Sequence, residues 1–302
     1  MRALVTGGAG FIGSSLANAL AADGHDVVAL DDLSLGTWDN VDPGVTPVTA
    51  SVLEDGLPVD VDVVFHLAAL SSYDMHEAEP ARGCRVNVEG FVNTLEQAAA
   101  AGCDTVVYAS TSSVYGDRTS PSPEEMRVSA STGYEASKLA RERYAEYYSA
   151  HRGLDCCGLR FFSVYEGMHG AEGHKGGYAN LIAQFAEDVA GGRRPELYGD
   201  GTQTRDFTHV DDVVRACRAA AGLDGVYNVG TGEQHSLLEL VDRINGLLGT
   251  DVEPRLVENP IDENAYVHDT LADTRRIGAA TGWEPEVSFE EGTRRVCAPY
   301  MD

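Results

Sequence analysis

The chain has 302 residues, enough for a large buried core, and carries 48 acidic against 22 basic side chains for a formal charge of −26. A surface this negative repels phosphate backbones and anionic bilayers, so nucleic acid and membrane partners are not expected. No apolar run reaches the length of a membrane span, and the N-terminal stretch, broken by Gly7, Gly8, Gly10 and Gly13, is not expected to act as a secretory leader.

In chain order, Ala3-Leu4-Val5 predicts a buried strand, Gly13 to Ala22 a helix, and Val27 to Leu30 a second strand. Val61 to Leu67, Thr105 to Ala109 and Leu154 to Phe161 repeat the short apolar runs. Strands alternating with helical segments predict β-α-β units and a parallel sheet covered on both faces. Val88, Val92, Leu95 and Ala99 mark one face of a helix over residues 86–101. Tyr144, Tyr147 and Tyr148 add aromatic mass to a helix that starts near Tyr134. After Phe162 the texture changes: Gly167 to Gly177 predicts a mobile glycine-rich loop, Val226 to Val229 a return to the sheet, and Leu237 to Leu248 an isolated helix. The expected organisation is a nucleotide-binding body of residues 1–163 and 204–231, with a smaller lobe of residues 164–203 and 232–302.

The six cysteines (Cys84, Cys103, Cys156, Cys157, Cys217, Cys297) lack paired C-x-x-C spacing and a histidine pattern. Neither disulfides nor a metal site is expected, and a reduced, cytoplasmic compartment fits. His169 and His174 have no carboxylate or cysteine spacing suited to metal binding. Lys138 and Lys175 are the only lysines. Abundant acid with almost no lysine resembles the proteins of salt-loving organisms, the alternative being a GC-rich, acidic bacterium. Lys175 reads equally as a contact to substrate phosphate and as solvated surface.

Two motifs carry chemistry. Gly8, Gly10 and Gly13 give G-x-G-x-x-G spacing between a predicted strand and helix. There, missing side chains allow a tight turn and close backbone approach to a pyrophosphate at the helix N-terminus. Asp31, about 20 residues on at the end of the second strand, is placed to accept from ribose hydroxyls and to repel a 2′-phosphate, so NAD is expected over NADP. Downstream, Tyr134 and Lys138 stand one helical turn apart on one face. An ammonium beside a phenol is expected to lower its pKa and make it a general base.

Together the motifs resemble the extended short-chain dehydrogenase/reductases that act on nucleotide sugars. The resemblance runs through Thr6–Gly13, Asp31-Asp32, Phe65 to Ala69, Asn87, Ser110 to Gly116, Tyr134 to Lys138, Arg160 to Tyr165, Gly199 to Phe207, Asn228 to Gly230 and Gly282 to Pro285. It implies an α/β Rossmann fold, a doubly wound parallel sheet with a smaller, mainly C-terminal substrate-binding lobe. It further implies Tyr134 as base, Lys138 on the nicotinamide ribose, and Thr111 on the sugar oxygen. Gly7, Gly10, Phe11, Ile12, Gly13, Asp31, Asp32, Leu67, Ala68 and Ala69 would contact NAD, and Ser112, Ser163 and Arg205 the substrate. Relatives that dehydrate carry Asp-Glu where Ser112 and Ser113 stand, and decarboxylating relatives carry glutamate at Ser113. The resemblance therefore favours epimerisation, at C4 of a UDP-hexose, by a homodimer paired through helices near 86–101 and 134–150. The alternatives are another nucleotide-sugar oxidoreductase or a non-catalytic NAD-sensing regulator. The chain departs from the family at Ser163, often asparagine, and at Ser51, commonly aspartate. A second diphosphate-binding arginine is replaced near Glu263 or Asn264.

Overall fold

Short β-branched runs build the first unit of the computed structural model, which describes residues 1–262 and 266–301. Seven strands form one sheet: β1 (Arg2–Thr6), β2 (Asp26–Asp31), β3 (Thr46–Thr49), β4 (Val63–His66), β5 (Thr105–Thr111), β6 (Asp155–Phe161) and β7 (Gly225–Val229). Their order is β7-β6-β5-β4-β1-β2-β3. The ladders joining β3, β2, β1, β4 and β5 are parallel, with Thr6 beside both Leu30 and His66. This is the doubly wound Rossmann arrangement. β3 went unseen in the sequence because Thr46-Pro47-Val48-Thr49 is an exposed edge strand without an apolar run.

The chain divides into two compact units. The first comprises residues 1–114, 127–160 and 214–227; the second comprises 115–126, 161–213 and 228 onward. In the first, helices α1 (Phe11–Ala22), α2 (Tyr73–Ala78), α3 (Pro80–Cys84), α4 (Gly90–Ala101) and α5 (Gly133–Arg152) accompany the sheet. A five-residue π-helical stretch, Arg85–Glu89, leads into α4. Leu95 of the expected stripe enters the core together with Phe91 and Ala98, while Val88, Val92 and Ala99 are half-buried. Helix α5 begins at a side-chain cap, with the N3 glutamate reaching back one residue beyond the N-cap. The Thr132 hydroxyl accepts from the Glu135 N–H at 3.2 Å, and the Glu135 carboxylate accepts from the Ser131 N–H at 2.7 Å. It ends at Gly153, whose φ of 74° is the left-handed turn that glycine allows.

The second unit has its own core of Tyr165, Ile182, Phe185, Leu197, Phe207, Leu240, Ile244 and Phe289. It is built on α6 (Leu181–Ala190), α8 (Leu237–Leu248) and α10 (Phe289–Cys297), with α9 (Arg275–Thr281); α7 (Val210–Ala219) begins in this unit's 161–213 segment and continues into the first unit's 214–227 segment. The expected loop over residues 167–177 contains a short 3₁₀ helix, Gly173–Tyr178. The buried Glu172 carboxylate organises it, accepting from the N–H groups of Glu166 (2.8 Å), Gly167 (3.1 Å) and Asn180 (2.6 Å). Lys175 lies 3.9 Å from the same carboxylate. Five cysteines are buried, Cys84 is exposed, and all six are free thiols. No helix of the described residues is long and apolar enough to cross a membrane.

Candidate active site

β1 delivers the chain into a turn that only glycine tolerates. Gly7 has φ 68°, and a Cβ there would stand 2.7 Å from the Ala68 nitrogen. A Cβ on Gly13 would collide with the Gly7 carbonyl. Helix α1 then starts at Phe11, two residues earlier than its apolar pattern suggested. Its N-cap, Gly10, is extended, and no side chain caps or acidifies the first turn. A bare helix N-terminus over a turn without side chains is an anion cradle. Gly7, Gly10 and Ile12 are half-buried here, as are Leu67, Ala68 and Ala69 beyond β4, whereas Phe11 and Gly13 are packed inside. Asp31, at the end of β2, is buried; its carboxylate accepts from the Ala9 N–H at 3.1 Å and the Leu33 N–H at 2.8 Å, which pins it over the glycine turn. Asp32 is exposed and accepts from the Ser34 N–H at 3.0 Å. The cradle and the pinned carboxylate fit the pyrophosphate and ribose of a dinucleotide.

Across the sheet, β5 ends at Thr111, and α5 presents Tyr134 and Lys138. The buried Thr111 hydroxyl bonds the Tyr134 phenol and lies 3.0 Å from the Ser113 hydroxyl. The Lys138 ammonium is 5.7 Å from the centre of the Tyr134 ring and donates to the Ala109 carbonyl at 3.1 Å. Burial drives the lysine well below its ordinary pKa, helped by the positive charge of Arg141. The phenol behaves differently from the sequence expectation. Burial raises Tyr134 above its ordinary value, and the Thr111 hydrogen bond and the Arg141 charge draw it back only in part. Removing a phenolate from water costs more than these neighbours return.

Asn87 and His66 fall in the sequence motifs, His66 as an expected packing histidine, whereas His76 and Arg141 were not singled out there. Asn87 donates to the Ser137 hydroxyl at 3.0 Å and to the Leu70 carbonyl at 3.0 Å, and its amide nitrogen lies 2.9 Å from His76 Nε2. His76 packs edge-on against Tyr134, with ring centres 5.7 Å apart. His66 lies wholly inside, 3.2 Å from the Thr6 hydroxyl through Nδ1 and against Phe91, as a core histidine. Arg141 is seven residues past Tyr134, so helical spacing alone could have placed it on the same face.

Of the expected substrate residues, Ser112 is buried at the end of β5. Ser163 and Arg205 belong to the second unit. Ser163 holds the left-handed φ of 26°, uncommon outside glycine, while its carbonyl accepts from the Thr208 N–H. Arg205 donates to the carbonyls of Thr204 (2.8 Å) and His268 (2.6 Å), with its guanidinium 5.9 Å from the centre of the Tyr266 ring. Nearby, Asp117, His268 and Asp269 bring three ligand-capable atoms within 4.8 Å of one another. Hydrogen bonds from Asp269 N–H to Asp117 and from Thr204 to Asp269 hold this trio. The expected second arginine position, near Glu263 or Asn264, lies outside the described residues.

A parallel α/β sheet with a glycine cradle after β1 and a Thr-Tyr-Lys cluster after β5 defines a dinucleotide-dependent enzyme class. The chain belongs to the NAD dependent epimerase/dehydratase family, whose model matches residues 3–230. It is 38% identical to a UDP-glucose 4-epimerase of Mycolicibacterium smegmatis over 98% of this chain and 97% of that protein. Among solved structures, it superposes with a TM-score of 0.89 on the UDP-glucose 4-epimerase of Thermotoga maritima with UDP-glucose, at 31% identity over 99% and 98% of the two chains. A UDP-glucose 4-epimerase of Thermus thermophilus in complex with NAD gives 0.88 at 32% identity over 99% of each chain.

Proposed function

We propose that the protein is an NAD-dependent nucleotide-sugar 4-epimerase acting on a UDP-hexose through a transient 4-keto sugar. The observation that carries this reading is the gathering of the Thr111 hydroxyl, the Tyr134 phenol and the Lys138 ammonium at one end of the sheet, with Ser112 and Ser113 beside them. A serine hydroxyl cannot do the carboxylate acid–base work of a dehydratase near neutral pH, whereas moving a hydride off and back needs only one base. The names of the similar epimerases support the same reading.

The residues divide the work as follows. Gly7, Gly10, Phe11, Ile12 and Gly13 would cradle the pyrophosphate of NAD, Asp31 and Asp32 its ribose side, and Leu67 to Ala69 its flank. When bound, NAD supplies the acceptor and donor of a hydride. Tyr134 takes the proton of the sugar C4 hydroxyl while Thr111 hydrogen-bonds the same oxygen, and it returns the proton once the keto sugar has presented its other face. Lys138 holds positive charge beside the phenol. Arg205 suits the diphosphate because its fork offers paired donors, and Ser163 would contact the sugar.

Three further readings accompany this one. The protein acts as a homodimer through α4 and α5, supported by Tyr144 and Tyr147, which stand 42% and 47% exposed on α5. A monomeric mass by light scattering in molar salt would remove that reading. It works in the cytoplasm, in keeping with its six free thiols, and is adapted to high salt by its charge. Incubation with UDP-glucose, UDP-galactose and other nucleotide sugars, with product stereochemistry read by NMR, tests the function. Interconversion of C4 epimers without net NADH change is expected; stoichiometric NADH consumption would point to a reductase instead.

A further inference from the structure

Arg141 is 0% exposed, and its donors reach three separate backbone segments. Nε donates to the Asn87 carbonyl at 2.5 Å, Nη2 to Ala68 at 2.7 Å and Nη1 to Ala109 at 3.4 Å. The Phe91 ring centre lies 5.6 Å from Cζ. Among the described residues no carboxylate pairs with it. The contrast with Arg160, the other buried arginine of this unit, is informative. Arg160 receives both oxygens of Glu142, the residue immediately after Arg141. A carboxylate is thus present one position away and is committed elsewhere. A buried charge left without a counter-ion costs several kcal/mol, an expense that carbonyl dipoles offset only in part.

That charge is felt throughout the cluster. It draws down Lys138, His66 and His76 and favours the ionised form of Tyr134. Burial brings Arg141 itself to about 10, so it stays cationic at neutral pH. Arg141 and Lys138 also converge on one acceptor, the Ala109 carbonyl, two residues before Thr111. The groups facing Tyr134 are Thr111 from β5, His76 from α2, and Glu135, Lys138 and Arg141 from its own helix. Glu135 opposes ionisation, and His76 is held neutral by burial and by the two cations.

We propose that Arg141 is a positioning residue for the catalytic tyrosine: a buried cation without a carboxylate partner that stabilises the Tyr134 phenolate while its three carbonyl contacts fix the backbone at Ala68, Asn87 and Ala109. The proposal rests on the assignment of Tyr134 as the base. Two variants separate charge from packing. Arg141→Gln removes the charge and keeps one amide donor; Arg141→Lys keeps the charge and loses the fork. The Tyr134 phenolate is titrated in the NAD-loaded protein as the near-ultraviolet absorbance difference between each protein and its Tyr134→Phe counterpart, a readout independent of the sugar turned over. Arg141→Gln is expected to raise the midpoint by about one pH unit, as loss of a nearby cation implies, and to move the acid limb of kcat against pH by the same amount. Arg141→Lys is expected to keep the midpoint while raising KM. If Arg141→Gln fails to fold, a wild-type midpoint in Arg141→Lys together with the raised KM supports the proposal. A midpoint unchanged in Arg141→Gln, or shifted equally in both variants, overturns it. Failure of the epimerase reading would show separately, as a wild-type protein that turns over no UDP-hexose yet still titrates.

Discussion

Glu142 and Arg160 share a two-pronged ion pair inside the first unit, with Nε to Oε1 at 2.9 Å, Nη2 to Oε2 at 2.7 Å, and side chains 7% and 4% exposed respectively. The Ser110 hydroxyl donates to the same carboxylate at 2.6 Å. This cluster ties α5 to β5 and β6 one residue before Thr111 and one helical turn after Lys138. It sets the spacing between the two elements that carry the proposed chemistry.

Removing one partner strands the other charge in the interior. Glu142→Ala is therefore expected to destabilise the protein by about 3–5 kcal/mol, the range for broken buried pairs. Glu142→Gln, which can still accept from Ser110, should cost less. Denaturant titration reads both. A loss below about 1 kcal/mol in the alanine variant would mean that water reaches Arg160 and the pair is not a structural tie.

Thr111 came from the family resemblance alone, whereas the glycine turn, Asp31 and the Tyr134–Lys138 spacing were legible in the sequence because each depends on local geometry: a turn, a strand end or one helical repeat. Glu142–Arg160 and the Asn87 network were not, because they join residues that helix and sheet packing alone bring together. The helix face over 86–101 was read in part: Leu95 is in the core and Ala99 packs against it, but Phe91 and Ala98 are buried more deeply than Val88 and Val92. Residues 91, 95 and 98 and residues 92, 95 and 99 both fit a helical repeat, so spacing alone did not choose between them. The direction of the Tyr134 shift also escaped, since the expectation weighed the nearby ammonium and not the burial of both groups.

Tyr134→Phe removes the proton acceptor while keeping the ring against His76. Folding and NAD binding should persist, and turnover should fall about 100-fold or more. Because burial holds the phenol above its ordinary value, the ionised form gains with rising pH, and wild-type kcat should climb on the acid side of its profile. Near-normal turnover in the phenylalanine variant would remove Tyr134 from the mechanism.

His66 gives a pH signature of stability. Burial, with the charges of Arg141 and Lys138, lowers its pKa well below the ordinary value of 6.5. The native state then binds fewer protons than the unfolded chain. The stability this provides is complete above about 6.5 and is lost as pH falls toward the depressed native value. Between pH 6.5 and 5 the wild type should lose up to about 1.4 kcal/mol per pH unit from this one group. His76 acts in the same sense, while Glu124, Glu135, Glu166 and Asp206, all raised by burial, act in the opposite one. Those contributions are shared by His66→Gln, so the difference in slope isolates His66. Parallel stability–pH curves for the two proteins would show that His66 takes up its proton without unfolding.

Asp31 should set the choice of dinucleotide. Its carboxylate is already pinned by the Ala9 and Leu33 N–H groups, so it cannot swing aside for a 2′-phosphate. Calorimetry on cofactor-stripped protein should show NAD bound more tightly than NADP, and Asp31→Ser should narrow the gap. Equal affinities in the wild type would sink this assignment.

Salt should stabilise the protein. With 48 acidic and 22 basic residues, the folded surface repels itself, and unfolding lets the charges separate. At about 0.01 M salt the Debye length is about 30 Å, so repulsion acts across the whole molecule; at about 1 M it is about 3 Å, and only adjacent charges still interact. Screening also weakens favourable surface pairs, such as Glu291 with Arg294 and Arg295. Exposed pairs of this kind contribute little, and every basic residue could be paired while 26 negative charges remained in excess. Relief of repulsion should therefore dominate, and both melting temperature and activity should rise from dilute buffer into molar KCl. Salting-out would strengthen apolar burial as well, but it predicts a steady gain led by sulfate. Screening instead puts most of the gain at the first additions of chloride. A melting temperature that is flat or falling between dilute and molar KCl would show that the acidic surface is not tuned to salt.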